Sequence, residues 1–447
     1  MSIASEITRL QTAKADLKTA IEAKGVTVSS SDTLDDYANL VASIPSGGSG
    51  PIEKLVNFYD YDGSLVASYS GSEVQALSEL PSAPDHSADE VPLTFEEWNW
   101  TLSQIKTYNT ANPDAIINVG ATYHTTDGKI HLFYRITADY DGNGVRFTVN
   151  AEGTVDWGDG GAVENFSSGN VEHIYSREGL YHCIVDTSAT SFVSGSGTSS
   201  DAKFWGKLIE VRLPSSITSI GSNAFSYCYG LQSIVIPSNV TNIGNNAFYY
   251  CYSLQNVVIS SGVTSIKGNA FSYCYSLQNV VISSGVTSIS GSAFSYCNGL
   301  QKAVIPSSVT SISGSAFSYC YNLQSIVIPS SVTSLGSYAF SGCSNLKNVV
   351  ISSGVTSIEN NAFSGCSCLQ GIVIPSSVTS IGSNAFSSCY SLYSVFIEAT
   401  TPPTLSNTNA FNTSYTKKIY VPASAVDDYK GASNWSNFAS IIEAIPS

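Results

Sequence analysis

The sequence predicts a mainly β, multidomain protein in which N-terminal helices and a β-sandwich-like spacer precede a solenoid of 23-residue repeats. Cys228, Cys251, Cys274, Cys297, Cys320, Cys343, Cys366 and Cys389 recur at a spacing of 23 residues, and Phe225, Phe248, Phe271, Phe294, Phe317, Phe340, Phe363 and Phe386 keep step three positions before them. Between these marks lie short segments such as LQSIVIP (Leu231 to Pro237), whose alternation is that of a half-buried strand. Composition agrees. Only 12% of the 447 residues are charged and 43% are hydrophobic, which excludes a disordered acidic chain or a charged coiled coil.

Length alone suggests about three domains. The net charge of −15 repels phosphate backbones and anionic headgroups, so nucleic acid is not an expected partner. No apolar run reaches the roughly 18 residues of a membrane span, and no membrane insertion is expected. The first thirty residues carry charges every few positions and no apolar h-region, so an ordinary secretory signal is not expected either.

Residues 1–45 read as a helical attachment and oligomerisation segment. Ile7, Leu10, Leu17 and Ile21 share one helix face, and a second helix opens at a Thr33–Asp36 capping pattern and stops at Pro45. So small a pair has little core of its own, which favours packing against copies of itself or against a docking partner. A Gly/Ser linker follows over 46–52. Residues 53–118 read as a small α+β module: a hairpin turns at Asp62-Gly63, and TFEEWNWTLSQI (Thr94 to Ile105) starts a helix with Phe95, Trp98, Leu102 and Ile105 inward. Residues 119–196 form the next unit, strand-rich over 130–190.

The repeat occupies 197–400. Each unit is too small to bury its own apolar face and must stack on its neighbours, and strands about 4.8 Å apart make a rod on the order of 40 Å long. The even cysteine period marks a small buried residue on every coil rather than disulfides or a metal site, for which close CxxC pairs are missing. The Ala-Phe-x-x-Cys part is a turn filling the gap between coils. Residues 401–447 form a cap: Ile419 and Val421 supply a last strand, Pro422 stops it, and a helix from about Ser424 with Trp435 and Phe438 covers the end.

The recurring SVTSIGSNAFSSC pattern over 208–397 resembles the BspA-like (Treponema-type) leucine-rich repeat family, which makes the solenoid a leucine-rich-repeat one and implies a bacterial cell-surface adhesin. VDWGDG with His173, Tyr175, Gly179 and Tyr181 is similar to the PKD-type immunoglobulin-like domain, usually a spacer, which implies a β-sandwich over 119–196 with Trp157 in its core and Asp159-Gly160 in a turn. SEITRLQTAKADLKTAIEAKGV is similar to the N-termini of tail-associated structural proteins in phages of gut bacteria. Together these resemblances imply a phage or prophage tail fibre or tail-tip protein that is made in the host cytoplasm, self-associates as a trimer by analogy with tail fibres, joins other virion tail proteins through its N-terminus and binds the host surface through its solenoid. The cell-surface adhesin is the alternative.

Catalytic candidates are sparse. GxSxG, HExxH and phosphate-loop patterns are missing, and between Pro214 and Ile397 Glu359 is the lone carboxylate, too few for a glycosidase pair. No cofactor or metal is expected. Asp139, Asp141, Asn143 and Gly144 (DYDGNG) resemble the start of a calcium loop, but Asn150 stands where a bidentate Glu belongs, so a hairpin turn is the simpler reading. The candidate binding residues are the tyrosines flanking the cysteine ladder: Tyr227, Tyr250, Tyr273, Tyr296 and Tyr319 before it, and Tyr229, Tyr252, Tyr275 and Tyr321 after it. They offer area and a hydroxyl to a host glycan or protein, or merely stack on one another to cover the core. On this pattern a tyrosine surface is confined to the first five coils.

Overall fold

The computed structural model describes residues 56–111, 116–137, 144–194 and 206–446. The helical segment 1–45, the linker 46–52 and the calcium-like loop residues 139–143 lie outside them.

The first sheet holds β1 (Val56–Tyr59), β2 (Leu65–Tyr69), β3 (Leu93–Trp98) and β4 (Ile117–Thr125) in the order β2-β1-β4-β3. The β1–β2 hairpin turns at Asp62-Gly63 as the dipeptide requires. Helix α1 (Gly71–Ala76) opens on a Ser70/Glu73 capping box. The expected helix from Thr94 is corrected: TFEEW is β3, antiparallel to β4, and helix α2 begins at Leu102 and runs to Ala111. The start is set by Thr101, whose hydroxyl takes the Gln104 N–H while Gln104 returns a bond to the Thr101 N–H, a second capping box. Phe95 is consequently partly exposed, whereas Trp98 and Ile105 are buried. Strand β4 crosses the 118/119 boundary read from the sequence and belongs to this first sheet.

The sandwich follows, with β5 (Ile130–Ile136), β6 (Gly144–Val149), β7 (Gly153–Asp156), β8 (Glu164–Phe166), β9 (Gly169–Ile174), β10 (Gly179–Thr187) and β11 (Ser191–Val193). Trp157 is buried, stacked on His173, and its carbonyl accepts from the Tyr175 hydroxyl at 2.9 Å. Both of its sheets run on into the solenoid. One continues from β5 through β12 (Leu208–Arg212), the other from β11 through β13 (Ser219–Ile220). One hydrophobic core therefore extends from Ile130 to Ile442.

Every coil has three sides. A wide strand, such as Asn256–Val258 or Ser325–Ile328, pairs in parallel with its neighbours; a two-residue strand, such as Ser265–Ile266, forms the second sheet. The third side is the Ala-Phe-x-x-Cys turn, and it too is bonded from coil to coil: the N–H groups of Phe225, Phe248, Phe271 and Phe294 donate to the Ala carbonyls of the next coil at 2.7–2.8 Å. The Phe rings form a continuous stack with centroids 4.9–5.5 Å apart from Phe225 to Phe411. Beside them all eight ladder cysteines are buried free thiols. Each Sγ–H from Cys251 to Cys389 donates to the Phe carbonyl 26 residues back, at 3.1–3.3 Å. The position thus selects a compact side chain that carries a donor, which a methyl group lacks.

At the far end Lys418–Val421 is the expected strand, and α3 (Val426–Gly431), Trp435 and Phe438 cover the core. It is not the last one: Ile442–Ala444 adds a further parallel strand.

Burial raises the thiol of Cys297 and its neighbours well above the ordinary value, so they stay protonated and out of reach of reagents. With a thiol reagent near pH 8, Cys368, the one cysteine not fully buried, should react alone in the native protein and all ten in denaturant. Several reactive thiols in the native state, or missing thiols in unreduced denatured protein, would contradict this. Cys297→Ala should cost about 1–3 kcal/mol through the lost donor and volume, and Cys297→Ser less because it keeps the donor; denaturant midpoints give the order.

Candidate binding surface

The tyrosines stand on the turn side. Tyr227, Tyr250, Tyr273, Tyr296 and Tyr319 form one column, with centroids 5.3, 4.4, 4.5 and 4.6 Å apart and near-parallel rings. Tyr229, Tyr252 and Tyr275 form a second, at 4.9 Å and 4.9 Å. The two columns meet edge to face, as at Tyr250–Tyr252 and Tyr273–Tyr275. Tyr321 touches Tyr319 edge-on and has no tyrosine below it, since the preceding coil carries Asn298. Most of these rings are half-buried; Tyr275, Tyr319 and Tyr321 are more exposed.

The backbone beneath the first column is left-handed, as it also is four residues earlier in the same coils, at Asn223, Asn246, Asn269, Ser292 and Ser315. Tyr227, Tyr250, Tyr273, Tyr296 and Tyr319 all have φ between 58° and 64°, the left-handed region that costs a side-chain-bearing residue about 1–2 kcal/mol. Gly342 and Gly365 take the same place at φ 75° and 76° in later coils, where no cost arises. Ser388 takes it at φ 56°, so the fold needs no aromatic ring here. The column ends at Gly342, where a Cβ would lie 2.6 Å from the Tyr319 ring.

Further tyrosines were legible or nearly so. Tyr249 packs edge-on against Tyr227, Tyr250 and Tyr273 but sits one place off the repeat position. Tyr390 follows Cys389 in the register of Tyr229; with Tyr338, Tyr393 and Tyr415 it extends exposed tyrosine beyond the first five coils. The confinement expected from the sequence is thus corrected.

The histidines are less scattered than their positions imply. His131 Nδ1 and His182 Nε2 lie 2.8 Å apart, His131 also meets the Asp127 carboxylate at 3.1 Å, and His182 stacks on Phe133. His86 bridges Asp60 and Asp89. Strand pairing between β5 and β10 aligns the first pair, information that spacing alone does not carry. Among the described residues no group of three or more His, Cys, Asp or Glu is placed to hold a metal ion, and no helix is long and apolar enough to cross a membrane. A cleft of about 180 Å³ is lined by Arg135, Lys207 and Gln232 among others.

A stacked β-solenoid with an invariant inner ladder and a varied outer face defines a repeat scaffold whose chemistry lies on its surface. The BspA type leucine rich repeat region matches residues 203–324 and 310–430, in six copies, and the chain belongs to that family. No curated protein matches the sequence. Similar solved structures include a leucine rich cell surface protein from Faecalibacterium prausnitzii A2-165, with 26% identity over 54% of this chain and 83% of that one, at a TM-score of 0.28. The T. pallidum leucine rich repeat protein shares 28% identity over 40% of this chain and 72% of that one, at a TM-score of 0.31. A leucine-rich repeat protein from Eubacterium ventriosum ATCC 27560 shares 22% over 63% and 79%, at 0.36.

Burial, and after it the neighbouring His131, holds the His182 imidazole below its ordinary value. A histidine depressed in the folded state stabilises the fold fully above its unfolded value of about 6.5, and this contribution is lost as pH falls below that through the folded value. Thermal midpoints should therefore drop between pH 7.5 and pH 5, and less steeply in His182→Gln. Equal slopes would remove the pair from the acid response.

Proposed function

We propose that the protein is a non-enzymatic adhesin of the BspA-like type that binds a glycan or protein of a bacterial surface through the tyrosine face of its solenoid. The observation that carries this reading is the left-handed backbone under five tyrosines at a place where glycine serves the fold in later coils. A recurrent backbone cost that the core does not require points to selection for what the side chains do outside it. Stacked rings with exposed edges suit the apolar faces of sugar rings, and a regular column can engage a repeating polymer at several points. The solenoid's outer surface holds few charges, which supports attachment by contact rather than by ion pairing.

The tail-fibre reading draws on residues 1–45 and on the PKD-like sandwich as a spacer. Its N-terminal part, including trimer formation and docking to virion proteins, falls outside the described residues, and the sandwich shares its sheets with the solenoid, so the adhesin is the reading we favour.

Tyr250→Gly/Tyr273→Gly/Tyr296→Gly should keep the fold, because Gly342 and Gly365 occupy the equivalent positions, yet reduce binding of the full chain to bacterial cells or purified wall glycan tenfold or more. Binding by the unaltered protein should change little between about 50 and 500 mM salt, unlike a screened interface. A folded triple variant that binds as well as the parent would sink this assignment.

A further inference from the structure

The outer face of the wide-strand sheet carries a second ladder. Val235, Val258, Val281 and Val304 are buried there beneath the first module, Val327 packs at its margin, and Val350 and Val373 are 47% and 44% exposed. The module sits close: a Cβ on Gly120 of β4 would lie 2.7 Å from Val258.

Part of what seats the module follows a proline pattern; the Asn99 amide also donates to Ile259 at 3.1 Å, where the next coil carries Ser283. At the ends of two wide strands beyond the module the carbonyl accepts from the next coil: Ile328 from the Ser352 N–H at 3.1 Å and Ile374 from the Glu398 N–H at 3.0 Å. A proline in the next coil has no N–H to give. Leu213, Ile282 and Ile305 face Pro237, Pro306 and Pro329, and at each the module supplies the missing donor. The Thr125 N–H reaches Leu213 at 3.3 Å, the Trp100 indole N–H reaches Ile282 at 2.9 Å, and the Tyr108 hydroxyl reaches Ile305 at 3.0 Å.

The same arrangement recurs past the module. Ser352 bonds back to Ile328, so the adjoining Ile351 carbonyl turns towards Pro375; among the described residues no side chain donates to it. On either side stand the exposed Val350 and Val373. We propose that this face is a docking seat for a partner protein segment presenting a tryptophan or tyrosine side chain, whose N–H or O–H donates to the Ile351 carbonyl while its ring covers Val350 and Val373. The occupant's chemistry is read from the interface of which this seat is the continuation, where Trp100 and Tyr108 make that contact. Branched aliphatic side chains offer no aromatic platform to a sugar ring, so the seat suits a protein segment rather than a glycan. It is separate from the tyrosine face, and either can fail without the other.

The test uses the full chain and a fluorescein-labelled peptide of residues 98–109 (WNWTLSQIKTYN), read by anisotropy. Saturable binding is expected, weakened tenfold or more by replacing the peptide's Trp100 and Tyr108 with Ala. Pro375→Ser in the full chain should weaken it equally, because a serine N–H then serves Ile351 as Ser352 serves Ile328, a residue the repeat already accommodates. Val350→Lys/Val373→Lys tests the apolar flanks at exposed positions, with thermal midpoints confirming the fold. No saturable binding up to about 1 mM, or parental affinity in both variants, would overturn the proposal. Displacement of the peptide by solubilised wall glycan would overturn the protein assignment. A full chain that dimerises at micromolar concentration, and becomes monomeric in the lysine variant, would give the seat to a second copy instead.

Discussion

A coil of 23 residues cannot close a core around itself, and the rest of this structure depends on that constraint. Its apolar side chains find cover only above and below, so residues one period apart must superimpose. That requirement selects Phe at one place, where rings stack face over face, and Cys at another, where a small thiol bonds the carbonyl of the coil beneath. It also leaves two ends where the core is open. The sandwich closes one by lending its own strands to both solenoid sheets, and α3 with Trp435 and Phe438 closes the other. Neither end is left as a bare strand edge.

Because the period is short and the ladder runs vertically, the solenoid was legible in the sequence. Identical spacing of Phe and Cys is the direct image of a spatial column, and the cap could be read from Pro422 and the aromatic residues after it. The register of the sandwich against the solenoid was not legible. It rests on β5 pairing with β12 across an intervening β-structure, and local alternation looks the same whichever strand is the partner. TFEEW was misread for a related reason: its apolar residues fit a helix face, and the capping box that decides the matter lies at Thr101, seven residues on. Most hidden was the seating of the module, whose side-chain bonds from Asn99, Trp100 and Tyr108 reach residues 160, 182 and 197 positions away.

The tyrosines show the opposite balance. Their positions were plain in the sequence, and their stacking followed from the period, but the cost they impose was not visible. Side-chain pattern says nothing of φ, and glycine in later coils could have been read as mere variation. Only the backbone shows that Tyr227 through Tyr319 hold a conformation that glycine adopts freely. Stacking repays part of that cost, since an aromatic pair contributes about 0.5–1.5 kcal/mol beyond area burial. The column is thus a compromise between coil geometry and an outward-facing surface.

The most direct test of the coil-to-coil account is native-state hydrogen exchange. Turns in most proteins exchange quickly, being held by local bonds near solvent. Here the Phe271, Phe294 and Phe317 amides donate across coils at 2.8 Å, so they should be protected as strongly as the Val257 and Val280 strand amides and should open with them in one cooperative step. Rapid exchange at the Phe amides, with protection confined to the strands, would show that the third side is not bonded and would contradict the account.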